Sequence, residues 1–490
     1  MSTPAETRFR IVLVSALVPG EGFTTAASPS SALVPLTPDT FDDVMARFAP
    51  TLTLELGRGP SSQTLSFALP RMRAFRPEWL VANVPALQKI QRTAPAPAPK
   101  STSLLDDLLD AHESGSGLGP AVTTEVPSVL ADVVSHPEFR RLEAAWRGAK
   151  HLIDAAGAKG AVTVELLHAT RDGVHAALTA LSPANAEGDA VNLVIVDHPL
   201  DATPASKDLA ASWAEAGEAL TAPVVVNGDV GWLGFDTLEQ AGQTNRRVTQ
   251  GDDARAVLFR SLASLDATRW LQVAVNAPLA RPLHSKDTAR ENVVLTEREP
   301  LYLGPAVAVG ALVARAVVKT GSPFLHVGPQ HGQVSNLPVR MAANGGLATQ
   351  AVVRTDVAAE AAKAGVALFA SAPNTDFAVL THSPVVYRGK SNASGTSRAA
   401  ELTLADQLFI SMAVKAVSTI AQAIPDDTPP ASAREVALLS LAAALTIGGA
   451  RPGLEVTVEG TPPRLTVALR PDALPGVSLP SLQLGARLGA

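Results

Sequence analysis

No cysteine occurs anywhere in the 490-residue chain, which excludes disulfides, thiolate metal sites and cysteine nucleophiles together. Aromatic residues are scarce too, 4% against a hydrophobic fraction of 46%, so cores must be built mainly from alanine, valine and leucine, as in helices packed closely over sheets. There is no lysine- or arginine-rich run, and the formal net charge is −6; a sequence-independent grip on nucleic acid phosphates is therefore not expected. Long apolar runs are also missing. Residues 304–319 and 436–447 are the most apolar helical stretches, but the first carries Arg315 and Lys319 and the second is twelve residues long, whereas a bilayer needs about twenty. Both read as buried helices of a soluble protein with no direct membrane insertion. The opening MSTPAETRFRIVLVSALVPGEGF lacks a long apolar stretch followed by a small-residue cleavage site, which makes the cytoplasm the expected location.

Signatures of catalysis are equally thin. Neither a phosphate loop of the GxxxxGKS or GxxxxGKT type nor a GxSxG elbow occurs, and GSGLG at residues 115–119 sits in a polar linker rather than between a strand and a helix. His326 and His331 flank a turn in LHVGPQHG; without a third clustered ligand they read as turn and surface histidines rather than a metal pair. Asp197 and His198 at a strand end, and Asp229 after APVVVNG, occupy the edge where α/β enzymes place their sites. With nothing else in the sequence converging on them, polar capping of strand ends is the expected role. No catalytic, cofactor or metal residue is assigned, and a non-enzymatic protein is expected.

A chain of this length is enough for about two to four domains. Phe9 to Leu17 is a continuous apolar run that reads as a strand covered on both faces. Phe41, Val44, Met45 and Phe48 form a helical stripe closed by Pro50, and residues 51–70 alternate as a hairpin. Residues 75–90 hold a short helix. APAPAPKST at 94–102 has the composition of a stiff extended linker. It is followed by a short amphipathic helix, SLLDDLLDAHE, with Leu104, Leu105, Leu108 and Leu109 on one side. A helix this short needs a partner to be stable.

From His136 to Ile153 the apolar residues Phe139, Leu142, Ala145, Trp146, Ala149 and Ile153 recur at helical spacing, while Arg140, Arg141, Glu143, Arg147 and Lys150 point elsewhere. Phe139, Leu142 and Trp146 are expected to anchor a core. Beyond this helix, strands (161–166, 190–196, 222–227, 269–275, 324–327, 366–370) alternate with helices (206–220, 254–265, 304–319, 356–364), the pattern of an α/β protein with mixed sheets flanked by helices. Residues 401–424 form a long amphipathic helix. Leu454, Val456 and Val458, then Leu465, Val467 and Leu469, alternate with polar residues around Gly460-Thr-Pro-Pro, the mark of a C-terminal β-hairpin with one buried face.

HPEFRRLEAAWRGAKHLI at 136–153 resembles the signature of the large sheath subunit of type VI secretion systems, and later segments through NTDFA at 374–378 are similar to that family in the same order. DTFDDVMARFAPTLTL at 39–54 and FRPEWLVANVPALQK at 75–89 resemble the small sheath subunit. The resemblance implies two modules in one chain, 1–93 like the small subunit and 128–490 like the large, joined by a linker at 94–127, with C-terminal strands in 454–490. It implies a contractile-sheath-like fold and a structural protein that self-assembles into a helical tube, with Leu454, Val456, Val458, Leu465, Val467 and Leu469 in assembly strands. It also implies an inner-tube protein, baseplate proteins and a AAA+ disassembly ATPase as partners, the ATPase docking on Leu104, Leu105, Leu108 and Leu109. A non-contractile tubular or shell-like assembly, and a soluble α/β enzyme without assembly, stay open as alternatives.

Overall fold

The structure is a computed structural model that describes residues 8–19, 33–56, 63–88, 125–186, 190–243, 253–285, 295–342, 345–389 and 401–489. The linker at 94–102, the leucine-rich stretch holding Leu104, Leu105, Leu108 and Leu109, and GSGLG lie outside the described residues.

In chain order the N-terminal part contributes β1 (Phe9–Ser15), β2 (Leu33–Leu36), α1 (Phe41–Phe48), the hairpin β3 (Thr51–Leu56) and β4 (Gln63–Ala68), and α2 (Pro77–Asn83). Two helices follow, α3 (Glu125–Ser135) and α4 (Pro137–Ala156). Strands and helices then alternate: β5 (Val162–His168), α5 (Val174–Ala186), β6 (Leu193–Leu200), α6 (Pro204–Leu220), β7 (Val224–Gly228), α7 (Ala254–Ala263), β8 (Leu271–Val275) and α8 (Pro305–Thr320). After the short strands β9 (Gln333–Val334), β10 (Arg340–Ala342) and β11 (Gly345–Leu347) come α9 (Thr355–Ala364), β12 (Val366–Ser371) and β13 (Ala378–Leu380). The chain closes with α10 (Leu404–Ala423), α11 (Pro430–Ala444), β14 (Gly453–Glu459), β15 (Arg464–Arg470) and β16 (Leu482–Arg487).

The main sheet has nine strands in the order β2-β5-β1-β6-β7-β8-β12-β13-β9. From β5 to β12 neighbours run parallel, and β2, β13 and β9 add antiparallel edges. β1 lies between β5 and β6, with Leu13 opposite both Leu166 and Ile195. Residues before and after the proline-rich linker therefore build one sheet together. Because β5 lies on one side of β1 and β6 on the other, the winding direction reverses at β1. Alternate residues of this strand enter two cores: Ile11 and Leu13 meet α4 and α8 on one face, and Val12 and Val14 meet the layer of α5 and α6 with Trp213 on the other. That double coverage is why the run reads as uninterruptedly apolar.

Two expectations are corrected, and one strand is not anticipated. Residues 324–327 are not a strand: Ser322 Oγ accepts from Phe324 N at 3.3 Å and His326 Nδ1 contacts Pro323 O at 2.8 Å, so local turn bonds replace a ladder while Phe324 and His326 are buried. The stretch 436–447 is not a buried helix. Only Ala433, Ala437 and Leu441 of α11 are buried, and Val436, Leu438 and Leu439 are exposed, Leu439 by 66%, because α11 packs one side against β14 and α10 and leaves the other without cover. Strand β2 has no counterpart in the sequence reading. Its Pro35 lacks an N–H, which confines it to a sheet edge, and β2 is an edge strand.

The 20-residue α10 is the one described helix long and apolar enough to cross a membrane by length and composition. Its residues Leu404, Leu408, Phe409, Ala413 and Val417 are buried in the core, which accounts for that composition within a folded domain.

Candidate assembly surface and strand-end cavity

The C-terminal hairpin is the start of a three-stranded antiparallel sheet, β14-β15-β16, with Val456 opposite Val467 and Val467 opposite Leu484. Val456, Val458, Leu465, Val467 and Leu469 are buried and Leu454 is half-buried; all six belong to the core that includes α10 and α11. β15 is paired on both sides, so the sheet's edges are β14 and β16. On β14, Arg434 Nε of α11 donates to the Val456 carbonyl at 3.0 Å, removing one acceptor from that edge. The sheet is tied to the body through Asp406 near the start of α10. Its carboxylate accepts from Thr403 N in a capping box and from Ser478 N, Ser478 Oγ and Leu479 N just ahead of β16.

In α4, His136 caps the first turn, accepting from Glu138 N at 3.2 Å, and Gly157 closes the last with φ +64. Phe139, Leu142 and Trp146 are fully buried. The Trp146 indole donates to the Leu17 carbonyl at 3.1 Å and meets Phe41 and Phe48 of α1 edge-on at 5.9 and 5.5 Å, contacts worth about 0.5–1.5 kcal/mol each. Glu143 departs from the expected outward orientation. It is buried and receives Arg147 Nε at 2.8 Å and Arg281 Nε at 2.7 Å. Arg281 also donates to Glu297 Oε2 at 2.6 Å, and Arg140 Nη1 donates to Glu297 Oε1 at 2.9 Å. Burial alone would raise the Glu143 carboxyl, yet Arg281 and Arg147 hold it below its ordinary value. The cluster fixes Arg281 and Glu297 against α4. Its signal in the sequence is Arg281 itself, an arginine inside the apolar wording NAPLARPL.

The strand-end residues converge more than expected. A β-bulge between Val196 and Pro199 turns Asp197 into a cavity of about 350 Å³ at the carboxyl ends of β1, β6 and β7. Ser15 Oγ of β1 donates to Asp197 Oδ2 at 3.3 Å and Asn227 Nδ2 of β7 to Oδ1 at 2.8 Å. Asn227 is oriented by Ala306 N in the first turn of α8, which donates to its Oδ1 at 2.9 Å. Gly304 is needed here, since a Cβ at that position would lie 2.2 Å from Asp197 Oδ1. Burial raises the Asp197 carboxyl to about 7, against the smaller opposing effect of Asn227 and Ser15. His198 bonds to the Ala169 carbonyl at 3.0 Å and is pushed down to about 4 by burial. Asp229 caps Gly231 N at 2.7 Å, the one strand-end capping role that matches the sequence reading directly. His326 is not a surface residue: it is fully buried, bonds to Ser383 Oγ at 3.0 Å, and burial pushes it down to about 4. Among the described residues no group of three or more histidines and carboxylates is placed to hold a metal.

Residues 121–186 match the family described as VipB: EvpB/VC_A0108, tail sheath N-terminal domain. The similarity is to sheath proteins. The matched sheath domain spans α3 through α5 and so contains Trp146, Glu143 and the strand that pairs with β1. Over 248 residues the chain is 21% identical to the type VI secretion system sheath protein TssC1 of Pseudomonas aeruginosa, an alignment covering 47% of this chain and 49% of that protein. The chain thus spans about half the length of the curated relative it matches. Among solved structures it superimposes loosely on a chain of the anti-feeding prophage baseplate, with TM-score 0.36, 9% identity and coverage of 100% and 93% of the two chains. The sheath tail protein Lin1278 of Listeria innocua gives 0.35, 12%, 64% and 60%.

Proposed function

We propose that this chain is a structural sheath protein, with a contractile-sheath-like fold, that self-assembles into the helical tube of a type VI secretion-like contractile injection apparatus. Residues 1–93 would act as the small-subunit-like part and 128–490 as the large-subunit-like part, both in the cytoplasm. The observation that carries this is the tail-sheath match over 121–186, which falls on the helix whose wording resembles the large subunit.

The molecule's surface supports an assembly role. The C-terminal sheet has two edge strands, and α11 beside it exposes Val436, Leu438 and Leu439. Heterologous contacts between identical protomers generate open helical tubes. Main-chain pairing at the edge of β14 or β16 would link neighbours by hydrogen bonds that survive while rigid bodies rotate. Leu454, Val456, Val458, Leu465, Val467 and Leu469 would keep those edges in place through the core beneath. The role is structural rather than catalytic, with an inner-tube protein, baseplate proteins and a AAA+ ATPase as further partners, the ATPase gripping Leu104, Leu105, Leu108 and Leu109.

Negative-stain microscopy of the purified chain should show tubes, in two lengths and widths if the lattice contracts. One invariant form would mean a static tubular or shell-like assembly, and small monodisperse particles under all conditions would overturn the proposal. Truncation after Arg451 should abolish assembly; tubes formed without β14 to β16 would remove the stitching role. Leu105→Asp combined with Leu108→Asp should abolish binding to the cognate ATPase, and retained binding would exclude that docking helix.

A further inference from the structure

The strand-end cavity lies where ligands bind in doubly wound α/β proteins, outside the carboxyl ends of parallel strands at the point where the winding reverses. At about 350 Å³ it falls within the size range of small-ligand pockets. Its lining is mixed: Ala16, Ala144, Ala145, Ala277 and Leu303 supply apolar surface, and Asp197, Tyr302 and Gln350 are among the polar groups. Both donors to that carboxyl are neutral, the Ser15 hydroxyl and the Asn227 amide. No described cation pairs with it. Asp197 is half-buried, so a carboxylate there is partly desolvated and gains from pairing with a cation.

The charged groups nearby do not fill the gap. Arg141, on α4, is held by Glu138 at 2.7 Å and by the Ala16 carbonyl at 3.2 Å. His198 is neutral near pH 7. Asp201 and Asp229 add negative charge at the lining, Asp201 lying 3.5 Å from Arg171, and burial raises Tyr302, which keeps its phenol neutral. The lining therefore holds three carboxyl groups against one arginine that is already engaged.

We propose that the cavity is a binding site for an alkylammonium or alkylguanidinium group, whose aliphatic stem lies along the alanine surface and whose cation pairs with the Asp197 carboxylate. The group has the shape of a lysine or arginine side chain, supplied either by a second copy of this chain or by a free amine. Gly304 follows from the same requirement, since any side chain there would enter the space of the Asp197 carboxyl.

The test is titration calorimetry of the full chain with n-butylguanidinium and n-butylammonium at pH 6 and pH 8. Binding to ionised Asp197 should be about tenfold tighter at pH 8, because a carboxyl titrating at about 7 is mostly protonated at pH 6. At pH 6 it should release close to one proton, read from the dependence of the heat on the buffer. Asp197→Asn should weaken binding at least tenfold and remove the pH dependence, whereas Asp229→Asn should retain both within about threefold. Absence of saturable binding, pH-independent binding by the parent chain, or unchanged binding by Asp197→Asn would overturn the proposal. The parent's pH dependence decides the matter even where a variant folds poorly. Sedimentation in n-butylguanidinium separates the sources: assemblies that dissociate place the cation on a second copy, and assemblies that persist while the site saturates indicate a free amine. Binding is read whether or not tubes form, so its failure leaves the sheath proposal standing.

Discussion

The face of α4 carries two carboxylate environments. Around Glu143, Arg281 lies between two buried carboxylates, its guanidinium donating to both Glu143 and Glu297 while Arg147 and Arg140 complete the set. Around Asp197, across the helix near Gly148, a half-buried carboxyl has neutral donors only. The first holds its charge by internal pairing, and its carboxylate stays below its ordinary value. In the second, burial prevails and the proton is retained to about 7. The difference teaches that burial alone does not settle a carboxylate's charge. A cation in reach makes the site part of the framework, and its absence makes the site responsive.

Removing the shared cation tests the paired environment most severely. Arg281→Met leaves Glu143 and Glu297 without their common partner, and breaking a buried pair by deleting one member costs about 3–5 kcal/mol. Urea unfolding should register a loss of that size; a loss below about 1 kcal/mol would show that the cluster is hydrated and not a buried unit. Next in size is crowding of the unpaired environment. Gly304→Ala places a methyl 2.2 Å from Asp197 Oδ1, and overpacking of this kind costs about 1–3 kcal/mol. An unchanged midpoint would mean that Asp197 swings away freely, contrary to its hydrogen bonds.

The two environments differed greatly in how far they could be read from the sequence. α4, with Phe139, Leu142 and Trp146, is written in local periodicity, and β1 in an unbroken apolar run, so the helix and the central strand were legible, as was the C-terminal hairpin. Glu143 follows Leu142 directly, at the border of the apolar stripe, and its partner lies 138 residues away; local spacing carries no record of such a pairing. Asp197 was visible as a polar residue at a strand end. The convergence of Ser15, 182 residues distant, and Asn227, 30 residues distant, depends on strand order, which no local pattern specifies. The exposed face of α11 was misread for a related reason. VALLSLAAALTI is as apolar as a buried helix, and which of its sides meets the sheet is decided by tertiary packing.

The smaller effects sharpen the comparison through pH. An unfolded aspartate loses its proton near its ordinary value of 3.8, whereas folded Asp197 keeps it to about 7. Between those values the folded state binds more protons, so the contribution of Asp197 is fully present below the lower value and is lost as pH rises toward 7. Stability measured across this window should fall less steeply with rising pH in Asp197→Asn than in the parent, by up to about 1.4 kcal/mol per unit. His198 and His326, pushed down to about 4, act in the opposite sense, their contributions being lost as pH falls from 6.5. Both are retained in the variant, so the difference between the two curves isolates Asp197. Equal slopes would mean that the carboxyl is solvated in the cavity.

Exposed pairing on the same helix supplies the lower bound. Lys150 and Asp154 form an i,i+4 ion pair one turn and more beyond Glu143, with side chains 42% and 52% exposed. In water the attraction is weak and ordering two long side chains offsets most of it, so such pairs contribute about 0.3–0.5 kcal/mol. Lys150 also lies 5.9 Å from the Phe41 ring, a contact of similar size when exposed. Lys150→Ala should therefore cost no more than about 1 kcal/mol in urea unfolding, and the cost should shrink in 1 M salt, while that of Arg281→Met should not. A Lys150→Ala loss approaching that of Arg281→Met would mean that position on the helix, rather than burial and pairing, sets the strength of these ion pairs.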